Sequence, residues 1–274
     1  MIVSGQVEDE QWACIKIIAP LLRLLEKMHR LNVSHRDIKP ENIFLTSRCA
    51  LRLGDFGLAV DFGRKLAFAR VGTLDYMAPE VLRNGKVRII ESPSVTLDEL
   101  TARNLAPYGP AVDVWAVGVL AFELITGRPP FASDDAAAQA EMIMNSSHIH
   151  FPAEMSAALS DFVRRALTKD PLRRPTAYEL LEHPFITGGV MAALRSPQGR
   201  AGNREQLLAG LLRALPLAVK PRLTLGCASV SSEPSTALWV AAGAPLPVLV
   251  RSLSAEGAAL TASMLCHPDA VLRP

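Results

Sequence analysis

The first strong hydrophobic pattern in the chain is helical. One apolar stripe begins at Ile15 and a second at Ile17, and both continue to about Met28. Two overlapping stripes predict a helix that is buried on most of its circumference. Pro20 lies inside this pattern and predicts a bend, because proline removes one backbone hydrogen bond and costs about 3 kcal/mol in a regular helix.

A second helical pattern is apolar on all sides. Between Ala111 and Thr126 the only charged residues are Asp113 and Glu123. A helix of this kind is predicted to lie at the centre of its domain, and Gly127 is predicted to end it. A buried carboxylate at Asp113 needs hydrogen-bond donors around it.

A charged loop lies between the first helix and a strand-like run at residues 43–45. Residues 35–42 read HRDIKPEN and hold a carboxylate, an ammonium and a carboxamide at fixed offsets. Such a loop can orient a hydroxyl through Asp37, neutralise a transferring phosphoryl group through Lys39 and hold Mg²⁺ through Asn42.

The spacing of this loop is similar to that of the catalytic loop of eukaryotic protein kinases. Further motifs follow in the kinase order: GDFG at 54–57 after a short strand at 51–53, GTLDYMAPE at 72–80, and DPLRRPT at 170–176. The chain therefore resembles the larger, helical lobe of that family over roughly residues 1–187. The resemblance implies a mainly α lobe of an α+β family, with a few short β-strands around residues 43–53.

The resemblance also implies serine/threonine specificity, protein substrates, and ATP and Mg²⁺ as cofactors. The implied catalytic residues are Asp37, Lys39 and Thr73. The residues implied to contact nucleotide or metal are Lys39, Phe44, Asn42 and Asp55, the last two as metal ligands. Structural support is implied for His35, Arg36, Phe56, Gly57, Glu80, Asp113 and Arg174, with Asp113 accepting bonds from the loop and Arg174 pairing with Glu80. Substrate contacts are implied for Glu41, Glu123, Leu74 and Met77.

Two Asp-Phe-Gly triplets compete for the metal-binding role. The first begins at Asp55, follows a strand closely and stands at the family's usual distance from Asn42. The second begins at Asp61 and lies beyond it. We assign the role to Asp55 and expect Asp61 to be a solvated turn residue of the activation segment.

The activation segment lacks the usual phosphorylation site. An arginine directly before the aspartate, here Arg36 before Asp37, resembles the kinase subgroup in which this arginine pairs with an activation-loop phosphate. Residues 58–71 contain no Ser, Thr or Tyr, and Ala69 stands where related kinases carry a phosphorylated threonine. We expect activation without phosphorylation in this window.

Two segments depart from the family pattern. Between Glu80 and Asp113 lie 32 residues, so about 84–107 is predicted to be an insertion that forms a surface loop. Residues 188–274 shift to Ala, Leu, Pro and Gly with sparse charge, and are predicted to be a disordered or weakly helical tail.

The smaller lobe of a kinase is not recognisable in this sequence. No Gly-rich phosphate loop, V-A-I-K lysine or partner glutamate occurs, so we expect this polypeptide to be a truncated kinase with little activity by itself. The alternative is a non-catalytic scaffold or pseudoenzyme that binds partner proteins through the exposed lobe face or the tail. A catalyst must bind Mg·ATP, whereas a scaffold need not.

Composition limits the binding partners and the cellular compartment that are expected for this protein. A formal net charge of +2 gives no argument for binding nucleic acid or an anionic membrane. The four cysteines are scattered without a C-x-x-C pair, which favours reduced thiols over disulfides or zinc. Without a signal peptide or a membrane-spanning apolar run, we expect an intracellular protein, cytoplasmic or nuclear.

Overall fold

The described part of the chain is mainly helical, as predicted. The computed structural model of the protein describes residues 9–46, 50–85, 90–146 and 148–195. Its α-helices are α1 (Glu10–Ala13), α2 (Ala19–Arg30), α3 (Pro79–Arg83), α4 (Leu97–Ala102), α5 (Ala111–Thr126), α6 (Ala136–Asn145), α7 (Ala157–Ala166), α8 (Ala177–Leu181) and α9 (Pro184–Arg195). Its strands are short: β1 (Val33–Ser34), β2 (Ile43–Leu45), β3 (Leu51–Leu53) and β4 (Val60–Asp61). None of the helices described is long and apolar enough to cross a membrane.

The first helical pattern forms a buried rod with a π-helical turn inside it. α1 and α2 are joined by the π-helical segment Cys14–Ile18, and the Ala19 N–H bonds to the Cys14 carbonyl, five residues back. Pro20 follows directly and has no N–H to donate to the carbonyl four residues before it. The irregularity predicted at Pro20 thus takes the form of a wider turn. Most residues of the apolar stripes are buried, as predicted, while Ile15 and Leu24 are half-buried.

α5 is the central helix of the lobe. Nearly all of its residues are buried, and Trp115 is fully enclosed. Gly127 ends the helix with a φ of 74° and donates its N–H to the Glu123 carbonyl at 2.7 Å. This left-handed conformation suits glycine, which has no Cβ to clash. The predicted buried helix and its end are both confirmed.

Two small antiparallel sheets surround the charged loop at 35–42. β1 precedes the loop and pairs with β4, which lies further along the chain. β2 follows the loop and pairs with β3, with Ile43 opposite Leu53. Because β3 leads directly into residues 54–57, this pairing brings the first Asp-Phe-Gly triplet next to the loop.

The segment 84–107 is more than the surface loop that was predicted. It contains α4, which begins with a capping box, and its Leu100 and Leu105 are buried. These two leucines form a small second core with Phe68. The polar centre of the segment suggested solvent exposure, but the apolar residues near its C-terminal end bury against the main body of the protein.

The predicted domain boundary at residue 187 falls inside α9. This helix continues to Arg195, and Val190 is buried in it. From residue 196 onward, the tail predicted for 188–274 lies outside the described residues.

Candidate active site

The charged loop is held in place by a buried carboxylate of α5. Oδ2 of Asp113 accepts hydrogen bonds from the Ser34 hydroxyl at 2.8 Å and from the His35 amide and the His29 ring, each at 2.9 Å. Oδ1 accepts the Arg36 amide at 2.8 Å. These bonds support a φ of 69° at Arg36, a conformation that costs a non-glycine residue about 1–3 kcal/mol.

The surroundings of Asp113 keep it ionised. Burial acts to raise the pKa of Asp113, but the hydrogen bond and electrostatic interaction with His29 and the hydrogen bond from the Arg36 amide act against it. The pKa of this carboxyl consequently lies below its ordinary value. An ionised carboxylate makes stronger hydrogen bonds to the loop amides than a neutral acid would.

Asp37 lies at the centre of a cluster with Lys39, Asn42 and Thr73. Its Oδ2 is 3.0 Å from the Lys39 ammonium and accepts the Asn42 amide nitrogen at 3.1 Å. Its Oδ1 accepts both the backbone N–H and the hydroxyl of Thr73 at 3.2 Å. The Lys39 ammonium also donates to the Thr73 hydroxyl at 2.9 Å. The fold therefore brings together all three residues to which the resemblance assigned catalytic roles.

The activation segment, residues 55–80, approaches this loop closely at Gly72. Gly72 has a φ of 100°, and a Cβ at this position would lie 2.7 Å from the Arg36 carbonyl oxygen. Any side chain here would strain the backbone and push the segment away from the loop. Glycine at 72 thus permits Thr73 to reach Asp37.

Gly54 links the first Asp-Phe-Gly triplet to the loop on two sides. The His35 ring bonds to the Gly54 carbonyl at 2.8 Å, and the Gly54 N–H donates to the Asn42 carbonyl at 2.8 Å. Phe56 packs edge-on against the His35 ring, with 4.9 Å between centroids. Nε2 of His35 donates to the Gly54 carbonyl, which can only accept, and Nδ1 accepts the Asp37 amide at 3.3 Å. Burial lowers the pKa of His35.

The two Asp-Phe-Gly triplets make similar turns in different places. Asp55 accepts the Gly57 N–H at 3.1 Å, and Asp61 accepts the Gly63 N–H at 2.9 Å. Asp55 is exposed, has a φ of 53°, and follows directly on the glycine that is bonded to the loop. Asp61 instead belongs to β4 and is half-buried.

Arg36 makes contacts that the sequence did not predict. Its Nη1 donates to both carboxylate oxygens of Glu91 at 2.8 Å and to the Tyr108 hydroxyl at 3.0 Å, and its Nε donates to the Leu58 carbonyl at 2.6 Å. Only 6% of the Arg36 side chain and 7% of the Glu91 side chain are exposed. Glu91 is visible in the sequence as an acidic residue of the insertion, but its distance along the chain from each arginine does not show that it pairs with Arg36.

Glu80 of α3 and Arg174 form the buried ion pair that the resemblance implied. Nη1 lies 2.7 Å from Oε1 and Nη2 lies 2.9 Å from Oε2. Arg174 also donates to the carbonyls of Ala111 and Thr168, and its guanidinium lies over the Trp115 ring at 5.2 Å. Two parallel bonds of this kind are the strong form of an arginine–carboxylate pair.

Comparison with known proteins identifies the family to which this lobe belongs. Residues 2–186 match the family model described as "Protein kinase domain". The chain belongs to the protein kinase family. One relative, serine/threonine-protein kinase Nek6 of Oryza sativa subsp. japonica, is 36% identical over 182 residues, which are 66% of this chain and 30% of the relative.

Other relatives of this kinase match over a similar stretch. Aurora/IPL1-related protein kinase 2 of Caenorhabditis elegans is 32% identical over 184 residues, which are 67% of this chain and 53% of the relative. Serine/threonine-protein kinase PAK 4 of Mus musculus is 30% identical over 194 residues, which are 68% of this chain and 28% of the relative. The aligned part of the kinase thus spans from about a quarter to about half of these relatives' lengths.

The oxygen atoms near the loop of this kinase fit Mg²⁺. The two side-chain hydrogen bonds described for Asn42, to the Asp37 carbonyl at 2.8 Å and to the Asp37 carboxylate at 3.1 Å, use the side-chain nitrogen, which leaves the side-chain oxygen for a cation. Among the residues described, no three His, Cys, Asp or Glu side chains gather into a metal-binding cluster. Mg²⁺ in phosphoryl-transfer sites takes only one or two protein carboxylates, since phosphates and water complete its shell. Asn42 and Asp55 suit such a site.

The two acidic residues implied in substrate binding interact electrostatically. Glu123 of α5 is half-buried and accepts the Tyr76 hydroxyl. Burial raises the pKa of Glu123, and the negative charges of Glu41 and Asp75 raise it further, against the bond from Tyr76. Glu41 is exposed. The kinase therefore has a negative region beside the activation segment.

The apolar residues assigned to ligand contact are half-buried. Leu74 and Met77 flank Tyr76 and pack against the main core. Phe44 lies in β2, and its ring is so close to Gly54 that a Cβ there would be 2.7 Å from it. Part of each side chain remains accessible to a ligand.

Proposed function

We propose that this kinase transfers the γ-phosphate of ATP to serine or threonine hydroxyls of protein substrates. The observation that carries the proposal is the mutual contact of Asp37, Lys39 and Thr73. The Lys39 ammonium lies 3.0 Å from the Asp37 carboxylate and 2.9 Å from the Thr73 hydroxyl. The relatives' names, which contain "serine/threonine-protein kinase", support the same specificity.

Each member of this cluster has a role in the transfer. The Asp37 carboxylate orients the substrate hydroxyl and accepts its proton as the hydroxyl oxygen bonds to the γ-phosphorus. The bond between that phosphorus and the bridging oxygen of the departing ADP breaks. The Lys39 ammonium neutralises charge on the transferring phosphoryl group. The Thr73 hydroxyl contacts both Asp37 and Lys39 and so fixes their relative position. Phosphoryl transfer depends almost wholly on such positioning and charge.

ATP with Mg²⁺ is the proposed cofactor. Bound Mg²⁺ supplies positive charge against the phosphates. The Asn42 amide oxygen and the Asp55 carboxylate would hold the ion, Lys39 would contact the phosphate, and Phe44 would form the floor beneath the adenine. The carboxamide orientation of Asn42 supports this assignment, because its nitrogen is already bonded to Asp37.

The proposed peptide preference is arginine upstream of the phosphoacceptor. The negative charge of Glu41 raises the pKa of Glu123, and a positively charged peptide side chain would be attracted to both carboxylates. Leu74 and Met77 would receive an apolar residue after the phosphoacceptor. A positional-scanning peptide array with the native kinase and its Glu123→Gln variant tests this. A native protein indifferent to arginine would exclude the preference.

The catalytic proposal is tested on the native protein, whose length is first measured by mass and by the 5′ end of its transcript. We expect Asp37→Asn to lower kcat by about 10²- to 10⁴-fold, the range of a lost general base, and thermal unfolding checks that the variant is folded. Mg·ATP binding is measured separately by calorimetry. A native protein that binds no Mg·ATP and phosphorylates no peptide would favour a scaffold role instead.

A further inference from the structure

The activation segment contains a stretch that cannot be phosphorylated on a hydroxyl. Residues 58–71 have no Ser, Thr or Tyr side chain. Activation loops that are ordered by phosphorylation acquire a new pair between the phosphate and arginine. Arg36 is adjacent to Asp37, and the carboxylate that pairs with Arg36 in the structure lies outside this window.

Glu91 of the insertion is that partner. Arg36 Nη1 lies 2.8 Å from both carboxylate oxygens, and both side chains are more than nine-tenths buried. An isolated buried charge is expensive, so this pair depends on the presence of both members. The two residues are 55 positions apart in the chain.

The same carboxylate also binds the backbone of the activation segment. Its Oε1 accepts the consecutive amides of Phe68 and Ala69, each at 2.8 Å. Consecutive backbone N–H groups that converge on one atom form an anion site. Tyr108 closes the arrangement, because its hydroxyl donates to the Ala69 carbonyl at 2.7 Å and accepts from Arg36.

The insertion holds Glu91 at this site through contacts on either side of it. Asn84 Nδ2 donates to the Phe68 carbonyl at 2.9 Å, and the Tyr108 N–H donates to the Ala67 carbonyl at 2.8 Å. Phe68 is also enclosed by Leu100 of α4. Asn84 at the start of the insertion and Tyr108 just after its end therefore contact the same stretch of the activation segment that Glu91 binds.

We propose that Glu91 is a positioning residue: its carboxylate does the work of an activation-loop phosphate, joining Arg36 to the backbone at Ala69. This rests on the proposed kinase function. The chemistry matches, because a carboxylate and a phosphate are both anions that accept from arginine and from backbone amides. The activation segment is then ordered by the insertion, and activity needs no phosphorylation within 58–71.

The experiment compares the native kinase with Glu91→Gln. The replacement keeps the shape but removes the charge and turns amide hydrogens toward the guanidinium of Arg36. We expect hydrogen exchange at the Phe68 and Ala69 amides to quicken about 10-fold or more, the size of a lost hydrogen bond to a charged group. We expect kcat for a peptide to fall by a similar factor, while KM for ATP changes little.

Two further variants separate a positioning role from general destabilisation. Asp98→Asn neutralises an exposed carboxylate in the same insertion. We expect it to change neither the hydrogen exchange at the Phe68 and Ala69 amides nor kcat. Glu91→Asp keeps the charge on a shorter side chain and is expected to restore part of kcat relative to Glu91→Gln. Loss of kcat in Glu91→Asp equal to that in Glu91→Gln would contradict a role for the charge.

Phosphatase treatment of the unaltered kinase provides a measurement that does not depend on any variant folding. We expect its activity to survive complete dephosphorylation, and a loss would overturn the proposal. Unchanged exchange at Phe68 and Ala69 in Glu91→Gln would overturn it as well, even in an active kinase. An inactive native protein would instead remove the proposed function, while the exchange data would still show whether Glu91 orders the segment.

Discussion

At the scale of single residues, three buried carboxylates organise this kinase lobe. Asp113 accepts hydrogen bonds from amides of the loop at 35–42, Glu80 pairs with Arg174, and Glu91 pairs with Arg36. Taking an ionised carboxylate out of water costs several kcal/mol unless partners surround it. Each carboxylate therefore fixes the geometry of the groups bonded to it. We expect removal of either the carboxylate or its partner to lower the free energy of unfolding.

The repeated Asp-Phe-Gly triplets offer a matched pair of substitutions at this scale. Asp55→Asn removes the proposed carboxylate ligand of Mg²⁺, and we expect kcat to fall by about 100-fold or more with a higher Mg²⁺ requirement. Asp61→Asn changes the same residue type in the same motif and is expected to retain activity within a few-fold. Steady-state kinetics over a Mg²⁺ titration distinguish them.

Equal losses in both variants would contradict the assignment of the metal site to the first triplet. The structure supports the assignment because Gly54, directly before Asp55, is bonded to both His35 and Asn42. The choice between the triplets was already possible from the sequence, since only Asp55 follows a strand closely.

At the scale of elements, the Glu80–Arg174 pair joins α3 to the turn that precedes α8. Arg174→Met leaves the Glu80 carboxylate buried without its partner, and we expect a loss of about 3–5 kcal/mol in the free energy of unfolding. Arg165→Met is the control, because Arg165 and Asp161 form a pair at 2.9 Å whose side chains are 61% and 41% exposed. Pairs of that kind contribute about 0–1 kcal/mol.

Urea unfolding of both variants measures this difference. The double variant Glu80→Gln/Arg174→Met removes the stranded charge and is expected to recover part of the lost stability. Similar losses for Arg174→Met and Arg165→Met would show that the buried pair contributes no more than a surface pair.

The insertion is the second element whose role depends on its position. Its helix α4 is only six residues long and starts with the capping box of Thr96 and Glu99. Leu100 and Leu105 attach it to Phe68. These contacts place the insertion directly against the part of the activation segment that lies near Arg36.

At the scale of the whole molecule, Asp113 links stability to pH. Its folded pKa lies below the ordinary value of 3.8. A carboxyl with a lowered folded pKa contributes stability that is fully present above its unfolded pKa and is lost as pH falls through the folded pKa. We therefore expect the Asp113 contribution to be complete at neutral pH and to decline below about pH 4.

Asp113→Asn is expected to cost about 3 kcal/mol at pH 7 and to flatten the pH dependence of stability below about pH 4. Asp161→Asn is the control, since the pKa of Asp161 is also lowered, chiefly by its bond to His183, but the carboxyl is exposed. Thermal unfolding from pH 3 to 7 measures both variants. An Asp113→Asn protein with an unchanged pH profile would contradict the linkage.

The sequence by itself predicted the family, the main helices and the short loop that carries Asp37, Lys39 and Asn42. The all-apolar run before Gly127 predicts a buried helix, because a helix without a polar face has no side to expose to water. The spacing from Asp37 to Asn42 places three chemical groups on one short loop, and local geometry keeps them together. Such features depend on residues close in the chain, so the sequence pattern alone carries them.

The tertiary structure decided the distant contacts that the family resemblance did not imply. Glu91 reaches Arg36 across 55 residues. Periodicity and local spacing say nothing about contacts over such separations, since these depend on how helices and loops pack in three dimensions. The insertion shows this most clearly: its polar residues suggested a solvated loop, yet the fold encloses Glu91 between an arginine and two backbone amides.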